Sequence, residues 1–121
     1  MSLETADIKG LNVEDALKRL RGNVKLYTKL VARFADGAEL ESLKTSLASG
    51  DLSAATRDAH TIKGAAANLS AEDIRVKAAE LEAALKALPE GGAIDAGHTA
   101  MCGELAALYA SLKEQLAPHL V

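Results

Sequence analysis

Residues 52–69 read LSAATRDAHTIKGAAANL. Leu52, Ala55, Ala59, Ile62, Ala66 and Leu69 recur in steps of three and four, the period of one face of an α-helix. Written as a heptad they fill a and d, the seam of a helix packed among other helices. His60 then falls at b, Lys63 at e and Gly64 at f, so the three share a face pointing away from the seam. Thr56 and Arg57 precede them on that face and Ala67 follows. A glycine inside a helix costs about 1 kcal/mol relative to alanine. Alanine is used freely on both sides of Gly64, and Gly64 is off the seam, so tight helix packing does not account for it. An outward glycine beside a histidine leaves room for something bulky to approach the imidazole.

That face has a coherent chemistry. Neutral imidazole is a nucleophile near pH 7, its ordinary pKa being about 6.5. If His60 accepted a phosphoryl group, Lys63 would offer a cation to the added negative charge. Gly64 and Ala67 would keep the surface low, with Thr56 and Arg57 completing the face a partner meets. An exposed histidine followed by a lysine is more often a solvated pair than a reactive one. The glycine weighs against that, because it lowers helix stability without a structural return.

The surrounding punctuation gives further helices. Asn12 can cap a short helix carrying Val13, Ala16, Leu17 and Leu20. From Asn23 a second shows Val24, Tyr27, Val31 and Phe34, and from about Ala38 a third places Leu40, Leu43 and Leu47 inward before Gly50. Asp51 is the natural cap of the helix quoted above. SAED at 70–73 has the form of a capping box for a fifth helix with Ile74, Ala78, Leu81, Leu85 and Leu88 inward. PEGG at 89–92 breaks it. A last long helix carries Met101, Leu105, Leu108 and Leu112 and ends near Pro118. No segment alternates with a period of two. The expected fold is therefore all-α: one domain over 1–121, an antiparallel up-and-down four-helix bundle with short additional helices at its N-terminal end.

Composition narrows the function. Hydrophobic residues make up 49% of the 121, but aromatics only 2%, so leucine and alanine dominate, as suits close-packed helices. A formal net charge of −3 lacks the basic footprint of a nucleic-acid binder. No apolar run is long enough to span a bilayer and the N-terminus does not read as a signal peptide, so no membrane insertion is expected. Cys102 is the single cysteine, which forbids an internal disulfide and suits a reducing, cytoplasmic setting. Its helical spacing makes it a packed small residue rather than a nucleophile. His98 and His119 carry no motif and read as surface residues. Glu82 lies beside inward Leu81, where a carboxylate could accept a hydrogen bond from one imidazole nitrogen and turn the other outward. A merely solvated glutamate is the commoner case.

AHTIKGAAANL at 59–69 resembles the signature of histidine-containing phosphotransfer (HPt) domains, His-x-Leu-Lys-Gly followed by small residues, with Ile62 at the usual leucine position. GDLSAATRDAH before it, AAELEAAL after it and ALKRLRGNVKLYTKLVARF near the N-terminus are similar to that family as well. The resemblance runs from about Leu11 to Leu88. One departure is Ser70, where the family usually has glycine. The resemblance implies a phosphorelay intermediate: His60 takes a phosphoryl group from a response-regulator receiver aspartate and passes it to another receiver. It implies no kinase activity, no cofactor and no metal in this chain, with Mg2+ supplied by the receiver. The expected partners are receiver domains and a hybrid sensor histidine kinase, and the expected state is a monomer in the cytoplasm. Two other classes stand beside this one. A passive helical interaction bundle is the main alternative, and a metal-binding bundle lacks the paired Glu-x-x-His motifs it would need.

Overall fold

A computed structural model of the chain describes residues 3–89 and 92–120. Six α-helices stand among the described residues: α1 Val13–Arg19, α2 Val24–Ala35, α3 Ala38–Ser49, α4 Leu52–Leu69, α5 Glu72–Lys86 and α6 Ala96–Leu116. Leu3–Thr5 and Ala117–His119 form short 3-10 turns. The helix starts follow cap chemistry. Asn12, Asn23 and Asp51 each accept a backbone N–H from three residues on, at 3.1, 3.0 and 3.0 Å. Gly50 ends α3 in the left-handed region at φ 73°, which turns the chain back within two residues.

The bundle is α3, α4, α5 and α6, each packed on the next and α6 closing onto α3, while α2 lies across α4 and α6. Two-residue links at Gly50–Asp51 and Ser70–Ala71 make α3, α4 and α5 antiparallel neighbours. Ala55, Ala59 and Ala66 are fully buried along α4 and let adjacent backbones come close, with Ile62 filling the middle of the seam. Each large aliphatic side chain buried there contributes about 1.5–3 kcal/mol. Two contacts fasten α2: the Tyr27 hydroxyl donates to the Leu69 carbonyl at 2.8 Å, and Phe34 stacks tilted on Tyr109 at 5.0 Å between centroids.

Five expectations require correction. Ser70 does not cap α5. It ends α4 in the left-handed region at φ 57°, and Ala71 precedes α5 with no side-chain cap. The Ser70 hydroxyl instead donates to Asp15 Oδ2 at 2.7 Å and accepts from Arg19 at 2.5 Å. Arg19 also takes the Ala67 and Asn68 carbonyls, so α1 closes the open end of α4. His98 is not a surface residue. It is buried, and its Nδ1 accepts the Asp95 N–H at 3.0 Å while Asp95 Oδ1 accepts the Gly97 and His98 N–H groups. This is a capping box with histidine in the reciprocal position.

The buried stripe of α6 is accordingly His98, Cys102, Leu105, Tyr109, Leu112 and Leu116, with Met101 and Leu108 at its half-buried edge. Cys102 is packed, and burial pushes its thiol up. His119 is half-buried with Nδ1 shielded and unpartnered. Finally, α5 ends at Lys86, so Leu88 lies past the helix and is half-buried. Glu90 and Gly91 of the expected PEGG break lie outside the described residues.

Candidate functional site

The middle of α4 meets α5 with its seam buried and its b, e and f positions outside. Ala59 and Ile62 are buried, and His60 between them leaves 65% of its side chain exposed. Gly64 and Ala67 are exposed one and two turns on. A Cβ added at Gly64 would meet nothing within 4 Å, so the space above the backbone there is open. Thr56 and Arg57 stand one turn before His60. The Thr56 hydroxyl is spent on the Leu52 carbonyl at 2.8 Å, while Arg57 is exposed.

Across the helix pair, α5 contributes Glu82. Its side chain is only 5% exposed and all its buried oxygens are engaged. Oε2 lies 2.8 Å from His60 Nδ1 and 3.2 Å from Lys86 Nζ, and Oε1 lies 2.5 Å from Lys63 Nζ. Burial alone would push this carboxyl up. The hydrogen bonds from Lys63, His60 and Lys86 outweigh that and hold it at about 2. Glu82 is therefore an anion that can only accept, and the network assigns the proton of neutral His60 to Nδ1. The Nε2 lone pair is left facing solvent.

The structure thus brings together His60, Lys63 and Glu82, with Gly64, Ala67, Thr56 and Arg57 around the imidazole. Lys63 spends its charge on Glu82. Lys86 was not among the candidates read from sequence. A signal for it existed, since it stands four residues after Glu82 on the same helix, the favourable order for such a pair. Among the described residues, no three His, Cys, Asp or Glu side chains cluster so as to hold a metal ion, and no helix is long and apolar enough to cross a membrane.

The Hpt domain family model matches residues 29–117, a span that holds His60, Lys63, Gly64 and Glu82. The chain belongs to the Hpt domain family. It is a phosphotransfer domain of two-component signalling, a phosphocarrier module of a kind that works with receiver domains of phosphorelay proteins. The family match runs from Lys29 through α6, so it begins later and ends later than the resemblance read from motifs between about Leu11 and Leu88. The fold is similar to the crystal structure of the HPT domain from the Hpt sensor hybrid histidine kinase of Shewanella. That likeness has a TM-score of 0.67 at 19% identity over 93% of this chain and 97% of the other. No curated protein sequence matches the chain.

Proposed function

We propose that this Hpt domain carries its phosphoryl group on His60 Nε2, taking it from the phosphoaspartate of one receiver domain and giving it to the aspartate of another. The observation that carries the assignment is the hydrogen bond from His60 Nδ1 to buried, ionised Glu82, on a ring otherwise open to solvent. It holds one tautomer and one ring orientation, with the nucleophilic nitrogen outward. Glu82 thus serves as the imidazole orienter. Transfer develops positive charge on the ring, which the same carboxylate stabilises.

Lys63 anchors Glu82 from the α4 side and adds positive potential for the arriving group. Gly64 and Ala67, with Thr56 and Arg57 on the other side, form the low surface on which a receiver settles. The chemistry that activates the donor aspartate, Mg2+ included, belongs to the receiver, and the chain itself neither binds nucleotide nor acts as a kinase. It works in this reading as a cytoplasmic monomer and a single domain.

Phosphohistidine formation tests the proposal. Parent protein mixed with a phosphorylated receiver should acquire an acid-labile, base-stable label. His60→Gln should fold and stay unlabelled, while His98→Gln and His119→Gln should label like the parent. Glutamine keeps the reciprocal acceptor of the α6 cap, so His98→Gln is the gentle change there. Label retained in His60→Gln would move the acceptor elsewhere, and an unlabelled parent would favour a passive interaction bundle.

A further inference from the structure

His60 Nδ1 and Lys86 Nζ share one oxygen of Glu82, Oε2, while Lys63 holds Oε1. The two lysines are not equivalent. Lys63 is one-third exposed and leaves the middle of α4, whereas Lys86 is 62% exposed on the last residue of α5. Lys86 also lines an open groove beside the imidazole together with Ser53, Thr56 and Arg57. A lysine ammonium is a compact charge on a flexible stem, and at this exposure it exchanges one oxygen partner for another at little cost.

Resting on the phosphocarrier reading above, we propose that Lys86 is a mobile counter-charge of the phosphotransfer site. It neutralises Glu82 while His60 is free and turns to the phosphoryl oxygens once His60 is loaded. Charge bookkeeping supplies the drive. The Nε2 lone pair forms the N–P bond, the P–O bond to the donor carboxylate breaks, and its electron pair leaves with that carboxylate. Nδ1 keeps its proton. The ring becomes an imidazolium and the phosphoryl group brings a dianion next to it. With Lys86 still on Oε2, two cations compete for one carboxylate oxygen while exposed Arg57 is, among the described residues, the one other cation lining the groove where the dianion lies. Moving Lys86 into the groove leaves Oε2 to the imidazolium and gives the phosphoryl oxygens a charge-assisted donor. Lys63, on the other oxygen, keeps Glu82 in place during the exchange.

Phosphoramidate, a small donor that needs no receiver, separates this proposal from the reading beneath it. The parent chain, Lys86→Gln and Lys86→Arg are brought to equilibrium at a fixed ratio of phosphoramidate to ammonia, and loading is read by 31P NMR. In the parent, the Lys86 side-chain 15N resonance should shift on loading. Lys86→Gln should lower the loaded-to-free ratio about threefold, the scale of an exposed ion pair, and Lys86→Arg should restore it. An unchanged ratio in Lys86→Gln, no rescue by arginine, or an unmoved Lys86 resonance in loaded parent would each overturn the mobile counter-charge while leaving His60 as acceptor. A parent that never loads on His60 would overturn the phosphocarrier reading and this proposal together.

Discussion

The buried contacts of Glu82 bear on stability and, under the proposed function, on chemistry as well. Three donors converge on a carboxylate that is almost wholly buried, and their combined effect keeps it ionised down to about pH 2 against an ordinary value of 4.5. Because the folded state lowers this pKa, the stability it contributes is complete above about pH 4.5 and is lost as pH falls toward 2. Glu82→Gln should therefore flatten the acid limb of a stability-versus-pH profile between those values, measured by urea unfolding. It should also slow transfer to His60 by about tenfold, because an amide neither secures the Nδ1–H tautomer nor stabilises the imidazolium. A variant with the parent's acid limb and the parent's transfer rate would remove Glu82 from both roles.

At the scale of the helix, α4 is built with one deliberate weakness and one strained end. Gly64 faces open space, so nothing in the packing requires it. Gly64→Ala should raise stability by up to about 1 kcal/mol in denaturant unfolding. Gly64→Leu should keep the fold but weaken receiver docking and slow transfer sharply, since the new side chain stands beside His60. Parent-rate transfer by Gly64→Leu would show that the glycine does not serve approach.

The strained end is Ser70, whose positive φ costs a residue with a Cβ about 1–2 kcal/mol. Its hydroxyl offsets this by bonding Asp15 and Arg19, and the Ser70 and Arg19 hydrogen bonds hold the Asp15 carboxyl below its usual range. Ser70→Gly relieves strain while losing those bonds, so it should change stability by less than about 1 kcal/mol. Ser70→Ala loses the bonds and keeps the strain, and should be the more destabilising of the two by thermal melt.

Across the whole molecule, the described helices share one buried core, and the site sits on its outer rim rather than within it. Stability and transfer chemistry should therefore separate. Ile62 is fully buried two residues from His60. Ile62→Ala should cost about 2–5 kcal/mol in urea unfolding through lost burial and a cavity. Well below the melting temperature, its phosphoryl transfer per folded molecule should stay within a few-fold of the parent's. A collapse of transfer in fully folded Ile62→Ala would mean that the seam sets the imidazole's position more tightly than the Glu82 bond does.

Much of this was legible in the order of residues. The a/d stripe of α4 placed His60, Lys63 and Gly64 outward without any knowledge of the neighbours, because helical period alone decides which side chains share a face. Caps at Asn12 and Asp51 marked helix starts because their bonds are local. What lay beyond reach depended on residues distant in the chain. Ser70 looked like a cap for α5 because no local signal told of Asp15 and Arg19, and His98 looked solvated because its depth depends on how α6 lies in the bundle. Glu82 is the sharpest case. Its spacing put it at a rim position open to two readings, and only the approach of α5 to α4 brought it under His60 and Lys63, beside its own helical neighbour Lys86. Periodicity determines a face; burial and pairing are properties of two faces, and the second is chosen by tertiary packing.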